Sequence, residues 1–269
     1  LPNRQMAVME MASAAGITLV PDEERNPLKT TTFGVGEMIR DAIGQGCRRF
    51  LIGIGGSATN DGGIGMLQAL GFQLLDRDEN PVPFGAEGLR VLDHIQTENA
   101  LPQLKECTFL IACDVTNPLC GEKGCSAVFG PQKGADPEMI RQMDQWMERY
   151  GSLALKVCQN ADPNAAGAGA AGGLGFAFLS FLKGSLKPGV DIVLRETSLE
   201  EYIKESDLVI TGEGRLDSQT VMGKAPSGVA ALAKKHGRPV IAFSGAVTRD
   251  AGVCNEHGID AFFPVLRSV

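Results

Sequence analysis

The sequence predicts an α/β fold with parallel-rich sheets and glycine-rich loops at strand ends. Three observations predict it. Residues 34–70 read as helix, strand, glycine-rich loop and helix. Residues 207–265 read as a β-α-β-α-β unit. The apolar runs around Phe50, Phe109 and Val209 each empty directly into polar residues, with glycines in the first and last. Short buried strands alternating with helix-period segments are the grammar of parallel sheets covered by helices.

In chain order, Gly34 to Gly46 carries apolar residues at Val35, Met38, Ile39, Ala42 and Ile43, one face of a helix. Thr31 or Thr32 is the expected cap, with Gly46 as the stop. Arg49 to Ile54 is a strand, and Gly63 to Leu70 a second helix. Phe109 to Ala112 is a strand ending at Cys113-Asp114-Val115-Thr116-Asn117-Pro118. Pro137 to Val157 is a long helix with Ile140, Met143, Trp146, Met147, Tyr150 and Leu153 at helical spacing. Ala165 to Gly175 reads as a glycine- and alanine-rich loop before a helix at Phe176 to Leu182. Beyond Pro188, Leu199 to Lys204 is a helix and Asp207 to Ile210 a strand. A loop follows from Thr211, then a helix over Pro226 to Lys235 and strands at Val240 to Phe243 and Ala261 to Val265. The change of style sets a boundary. Residues 1–188 form a larger α/β domain with the glycine-rich anion loops; residues 189–269 form part of a Rossmann-like or flavodoxin-like α/β domain.

With 269 residues and a net charge of −7, the chain can bury a substantial core and is a poor partner for nucleic acid or an anionic membrane. Any anion must be held by local backbone donors and placed cations. Seven irregularly spaced cysteines suit a reducing cytoplasm better than a disulfide framework. Cys107, Cys113, Cys120 and Cys125 match no standard metal spacing.

Four loops hold the candidate chemistry. Gly55 to Gly63 follows a strand and opens a helix, so it offers unpaired N–H groups to an anion, with Ser57, Thr59 and Asn60 as further donors. Asp61 there is a helix cap, a metal ligand or a hydroxyl-orienting group. Gly167 to Gly172 matches G-x-G-x-x-G, yet no strand precedes it, which leaves a close-approach or helix-packing loop beside the nicotinamide reading. Asp114 and Asn117 place a carboxylate and an amide at a strand end, where open α/β sheets bind ligands, with Lys133 downstream as a phosphate cation. Thr211 to Lys224 crowds Glu213, Arg215, Asp217 and Lys224 at a glycine-rich turn, which suits anion and Mg²⁺ handling. Three histidines and no G-x-S-x-G elbow leave nucleophilic catalysis poorly served, whereas glycine loops, carboxylates and lysines suit phosphoryl transfer.

Together these stretches resemble the bacterial glycerate kinases of the first type. The likeness rests on Gly53-Ile-Gly-Gly-Ser-Ala-Thr-Asn-Asp-Gly-Gly63, Cys113-Asp-Val-Thr-Asn-Pro-Leu119, Phe129-Gly-Pro-Gln-Lys-Gly-Ala135, Gly167 to Gly175 and Asp207 to Thr220, in that order. The resemblance implies two unlike α/β domains around a cleft. It also implies transfer of the ATP γ-phosphate, with Mg²⁺, to a hydroxyl of D-glycerate. On that reading Gly55, Gly56, Ser57, Thr59, Asn60 and Asn117 serve the substrate, and Asp61 and Asp114 compete as general base. Lys133, Arg215 and Lys224 hold phosphate charge, and Glu213 and Asp217 the metal. Glycerate and ATP are then the partners, and a homo-oligomer is one possible assembly. The rival readings are a nicotinamide-dependent oxidoreductase using Gly167–Gly172 and a non-catalytic anion-binding module. The family's Asp-Ser-(Phe/Tyr)-Lys and Asp-Gly-Gly-Glu-Gly-Thr motifs are absent, as is its helical C-terminal end, so the chain reads as a fragment.

Overall fold

The computed structural model describes residues 5–266, which divide into two compact units, one ending at Lys187 and the other beginning at Pro188. In the first unit the strands are β1 (Met6–Glu10), β2 (Arg49–Gly53), β3 (Gln73–Leu75), β4 (His94–Gln96), β5 (Thr108–Ala112) and β6 (Ser185–Lys187). Its helices are α1 (Ala12–Ala15), α2 (Phe33–Gly44), α3 (Ile64–Ala69), α4 (Ala86–Val91), α5 (Cys125–Phe129), α6 (Pro137–Val157) and α7 (Ala170–Phe181). Strands β1, β2, β5 and β6 form a parallel sheet in that order, and β3 pairs antiparallel with β4.

One face of the parallel sheet carries the core. Phe50 and Ile52 of β2 and Phe109 and Ile111 of β5 are buried, with Phe50 stacked on Phe109 at 4.9 Å between ring centroids. Strand β1 is absent from the sequence reading, and so is β6. Both are short and only partly apolar, and they form because β2 and β5 offer them a ladder. Helix α6 follows its local signals. Asp136 caps it by accepting from the N–H groups of Glu138 and Met139, Pro137 opens it, and Met143, Met147, Tyr150 and Ala154 form its buried stripe. In helix α2 the side chain of Thr32, the N-cap residue, makes no capping bond, and of the two expected threonines it is Thr31 whose Oγ1 accepts from the first helical N–H, that of Phe33, at 3.2 Å. The Thr32 hydroxyl is committed to the Asp61 carboxylate.

The glycine-rich segment expected as a loop over 165–175 enters α7 through a left-handed kink at Ala171, Gly172 and Gly173. Its glycines are packing glycines. A Cβ on Gly169 would stand 2.1 Å from the Pro118 carbonyl oxygen, and one on Gly172 2.1 Å from that of Thr59. The nicotinamide reading of Gly167–Gly172 is therefore corrected: the preceding helical element is α6, and protein backbone occupies the space a pyrophosphate would need.

The second unit contains α8 (Gly189–Glu196), α9 (Leu199–Glu205), β7 (Val209–Leu216), α10 (Ala225–Lys235), β8 (Val240–Val247), α11 (Val253–Glu256) and β9 (Ala261–Pro264). Its three strands are parallel in the order β7-β8-β9, around a separate core that includes Val209, Leu216, Ala230, Ala242 and Cys254. Here the loop expected from Thr211 is corrected. Strand β7 continues to Leu216, because β8 runs beside it and pairs Glu213 with Ser244 and Arg215 with Ala246. Cross-strand pairing overrides a polar, glycine-bearing composition that alone reads as a turn.

Candidate active site

A cavity of about 410 Å³ opens at the carboxyl ends of β2 and β5. Gly55, Gly56 and Ser57 form one wall, Ala112, Cys113 and Asp114 another, and Lys133 and Ala171 contribute from α5–α6 and α7. This is where parallel sheets place ligands, since loops after the strand ends converge there.

Gly55 and Gly56 are exposed, and a Cβ on Gly55 would meet nothing within 4 Å. Unlike the α7 glycines, Gly55 is bare toward open space. Among the described residues, the N–H groups of Gly55, Gly56 and Ser57 find no acceptor. The loop is fixed by backbone bonds to the segment after α1: Ile17 N–H donates to the Gly56 carbonyl and Ala58 N–H to that of Ala15. Free donors on a restrained backbone are the kind of group that can receive an anion.

Lys133 strengthens it. The side chain is 1% exposed, and its ammonium donates to Ser57 Oγ at 2.8 Å and to the Thr59 carbonyl at 2.6 Å. Burial lowers its pKa to about 8, with the Cys125 and Asp61 charges acting the other way. It is held there by a 3-10 turn over Pro131–Lys133, closed by Gly134 at φ 88°, where a Cβ would strike the Arg25 carbonyl at 2.3 Å. Asp114 is the exposed carboxylate on the cavity wall.

The other candidates of this unit sit elsewhere. Asp61 is completely buried. Its carboxylate accepts from Thr32 N–H at 2.8 Å, Thr32 Oγ1 at 2.9 Å, Gly63 N–H at 3.1 Å, Thr31 Oγ1 at 3.3 Å and Gly65 N–H at 3.4 Å. Burial raises its pKa and these hydrogen bonds lower it, with burial the larger influence. Asp61 thus ties the start of α2 to the start of α3. Thr59 and Asn60 are enclosed as well; Asn60 Nδ2 donates to Ser126 Oγ at 2.9 Å. Asn117 braces its own loop by donating to the Lys123 carbonyl at 2.8 Å. Of the remaining wall residues, Ala170 and Ala171 belong to the Gly167–Gly172 segment read as a close-approach or packing loop, and Gln132 adjoins Lys133, whereas Ile17 is missing from the sequence reading.

In the second unit the predicted residues do come together. Lys224, at the N-cap of α10, lies 3.4 Å from Asp217 and 3.9 Å from Glu213, and Arg215 lies 3.5 Å from Asp217. The Thr220 hydroxyl donates to Glu213. Among the described residues no group of three or more His, Cys, Asp or Glu is placed to hold a metal ion, and no helix is long and apolar enough to cross a membrane.

A profile of the glycerate kinase family matches residues 1–269. The chain is 49% identical over 263 residues to a glycerate kinase of Haemophilus influenzae, covering 98% of this chain and 70% of the relative. It is 50% identical over 263 residues to the glycerate 2-kinase of Escherichia coli, covering 98% and 69%. The crystal structure of a Salmonella typhimurium LT2 protein described as a glycerate kinase 2 superimposes with a TM-score of 0.91 at 47% identity, over 99% of this chain and 70% of that one. The chain spans about 70% of the length of these relatives, and neither rival function finds support among them. The α/β architecture with parallel sheets and the family match over residues 1–269 agree: the chain belongs to the glycerate kinase family.

Proposed function

We propose that this chain transfers the γ-phosphate of ATP to a hydroxyl of D-glycerate, giving a phosphoglycerate and ADP. The observation that supports it most is the juxtaposition of free Gly55, Gly56 and Ser57 N–H groups and a buried ammonium with the Asp114 carboxylate in one cavity. A hydroxy acid needs both: donors for its carboxylate, and an acceptor for the proton its hydroxyl gives up.

The glycerate carboxylate sits on the Gly55–Ser57 backbone, with Lys133 supplying the countercharge. Asp114 takes the proton as the hydroxyl oxygen bonds to the γ-phosphorus and the bond to the ADP oxygen breaks. Asp61 is a scaffold in this reading, because five donors already enclose it. Arg215 and Lys224 carry cations toward nucleotide phosphates. Glu213 and Asp217 fit Mg²⁺ by their chemistry: two partly buried carboxylates lie within 4 Å of a shared ammonium, and the ion is commonly held by one or two carboxylates with phosphates completing its shell. When bound, it neutralises phosphate charge. The seven cysteines, all free, support a cytoplasmic setting.

A coupled ADP-release assay with D-glycerate, ATP and Mg²⁺ tests the reading. Turnover that needs all three is expected. Its absence in the folded chain overturns the proposal.

A further inference from the structure

We infer that Glu10 contacts the substrate: its carboxylate accepts a hydrogen bond from the glycerate hydroxyl that is not phosphorylated. The inference rests on the glycerate reading above and adds a residue to it.

Strands β1, β2 and β5 run parallel, and their register sets Glu10 level with Gly53 and Gly53 level with Ala112. Residues level with one another in a pleated sheet point to the same face. Ala112 lines the cavity at the end of β5, and Glu10 is level with it on the same face at the end of β1, two strands across and outside the ring of lining residues. Gly53 removes the side chain that would otherwise stand between them. A Cβ on Gly53 would lie 2.5 and 2.7 Å from the two Glu10 carboxylate oxygens and 2.8 Å from the carbon that joins them. The carboxylate therefore lies over Gly53, toward Ala112. Gly53 is not among the glycines with positive φ, so its backbone does not demand glycine. What its bareness accommodates is this carboxylate.

Glu10 is exposed, and among the described residues its side chain makes no hydrogen bond or ion pair. A free carboxylate near a strand end repels the substrate's carboxylate and phosphates, but it accepts strongly from a neutral hydroxyl. Glycerate has two hydroxyls. Asp114 serves the one that reacts, which leaves the other for Glu10. A site built to bond a substrate hydroxyl discriminates against acids that lack it.

Two substitutions probe the same atoms independently. Glu10→Ala deletes the carboxylate. Gly53→Ala displaces it, and the atoms nearest the new methyl are the far end of the flexible Glu10 side chain. Each is expected to raise the glycerate KM by ~10–100-fold, the loss of a charged hydrogen bond. The KM for ATP and the Mg²⁺ concentration for half-maximal rate stay within about twofold of wild type, since no other contact is removed. The double variant is no worse than the poorer single one, because both act through one carboxylate. Lactate and 3-hydroxypropionate each lack one hydroxyl; as competitors against glycerate, one of them keeps its wild-type inhibition constant in Glu10→Ala. Thermal melts confirm that the variants fold.

An unchanged glycerate KM in folded Glu10→Ala, with an active wild type, overturns this inference and leaves the kinase reading standing. A shifted Mg²⁺ requirement also overturns it, placing Glu10 with the metal. A wild type that neither binds nor phosphorylates glycerate overturns both.

Discussion

Single residues divide the two acidic candidates by their surroundings. Asp61 and Asp114 both follow strands and look equivalent in sequence. In the fold one is completely buried under five donors and the other stands exposed on the cavity wall. Asp114→Asn is expected to lower kcat by ~10²–10⁴-fold with little change in melting temperature, as for a lost general base. Asp61→Ala leaves buried N–H and hydroxyl donors unpaired at about 1–3 kcal/mol each, so it is expected to cost at least about 3 kcal/mol of stability. Paired kinetics and denaturant titration separate these outcomes. The reverse pattern would exchange the two roles.

Lys133 sets a pH dependence. Burial lowers its pKa from 10.5 in the unfolded chain to about 8. Between those values the unfolded state binds the extra proton, so the stability cost of charging Lys133 is fully present below about pH 8 and is relieved as pH rises toward 10.5. In the proposed role function runs the other way: above about pH 8 Lys133 would no longer supply the countercharge for glycerate. The glycerate KM is expected to rise with pH through that value, and Lys133→Met is expected to abolish the rise. A KM flat from pH 7 to 9 in wild type would remove Lys133 from the anion receptor.

Elements explain why two glycine-rich segments that look alike in sequence differ in purpose. The β2–α3 loop turns Gly55 toward open cavity, whereas the α7 kink presses Gly172, at φ 67°, against the Thr59 carbonyl. Gly55→Ala is expected to leave the melting temperature within about 2 °C and to weaken glycerate binding, since the methyl enters the anion receptor. Gly172→Ala must adopt a left-handed backbone and clear a 2.1 Å overlap, so a drop of several degrees is expected before any effect on binding is asked. Calorimetry of melting and of glycerate titration checks both. Strand β7 is a second case: Glu213 and Arg215 read as loop residues, yet the ladder with β8 fixes them on a strand, with Asp217 and Lys224 beyond its end.

At the scale of the whole molecule, the sequence by itself determined the architecture and the family. Helix-period apolar stripes and Asp136-Pro137 capping fix α6 through contacts a few residues apart, and Arg49 to Gly53 and Thr108 to Ala112 are apolar enough to read as buried strands. The motif order from Gly53 to Asp217 carried the family resemblance, and the glycine loop was legible because its excess of small residues exceeds what a turn needs. Tertiary structure alone decided which groups face the cavity. Burial depends on partners far apart in the chain: Thr32 meets Asp61, Lys133 reaches Ser57 across 76 residues, and Glu10 lies over Gly53 only because β1 joins the sheet. A carboxylate's role follows from whether donors enclose it or solvent reaches it, and residue type and local spacing are the same in either case.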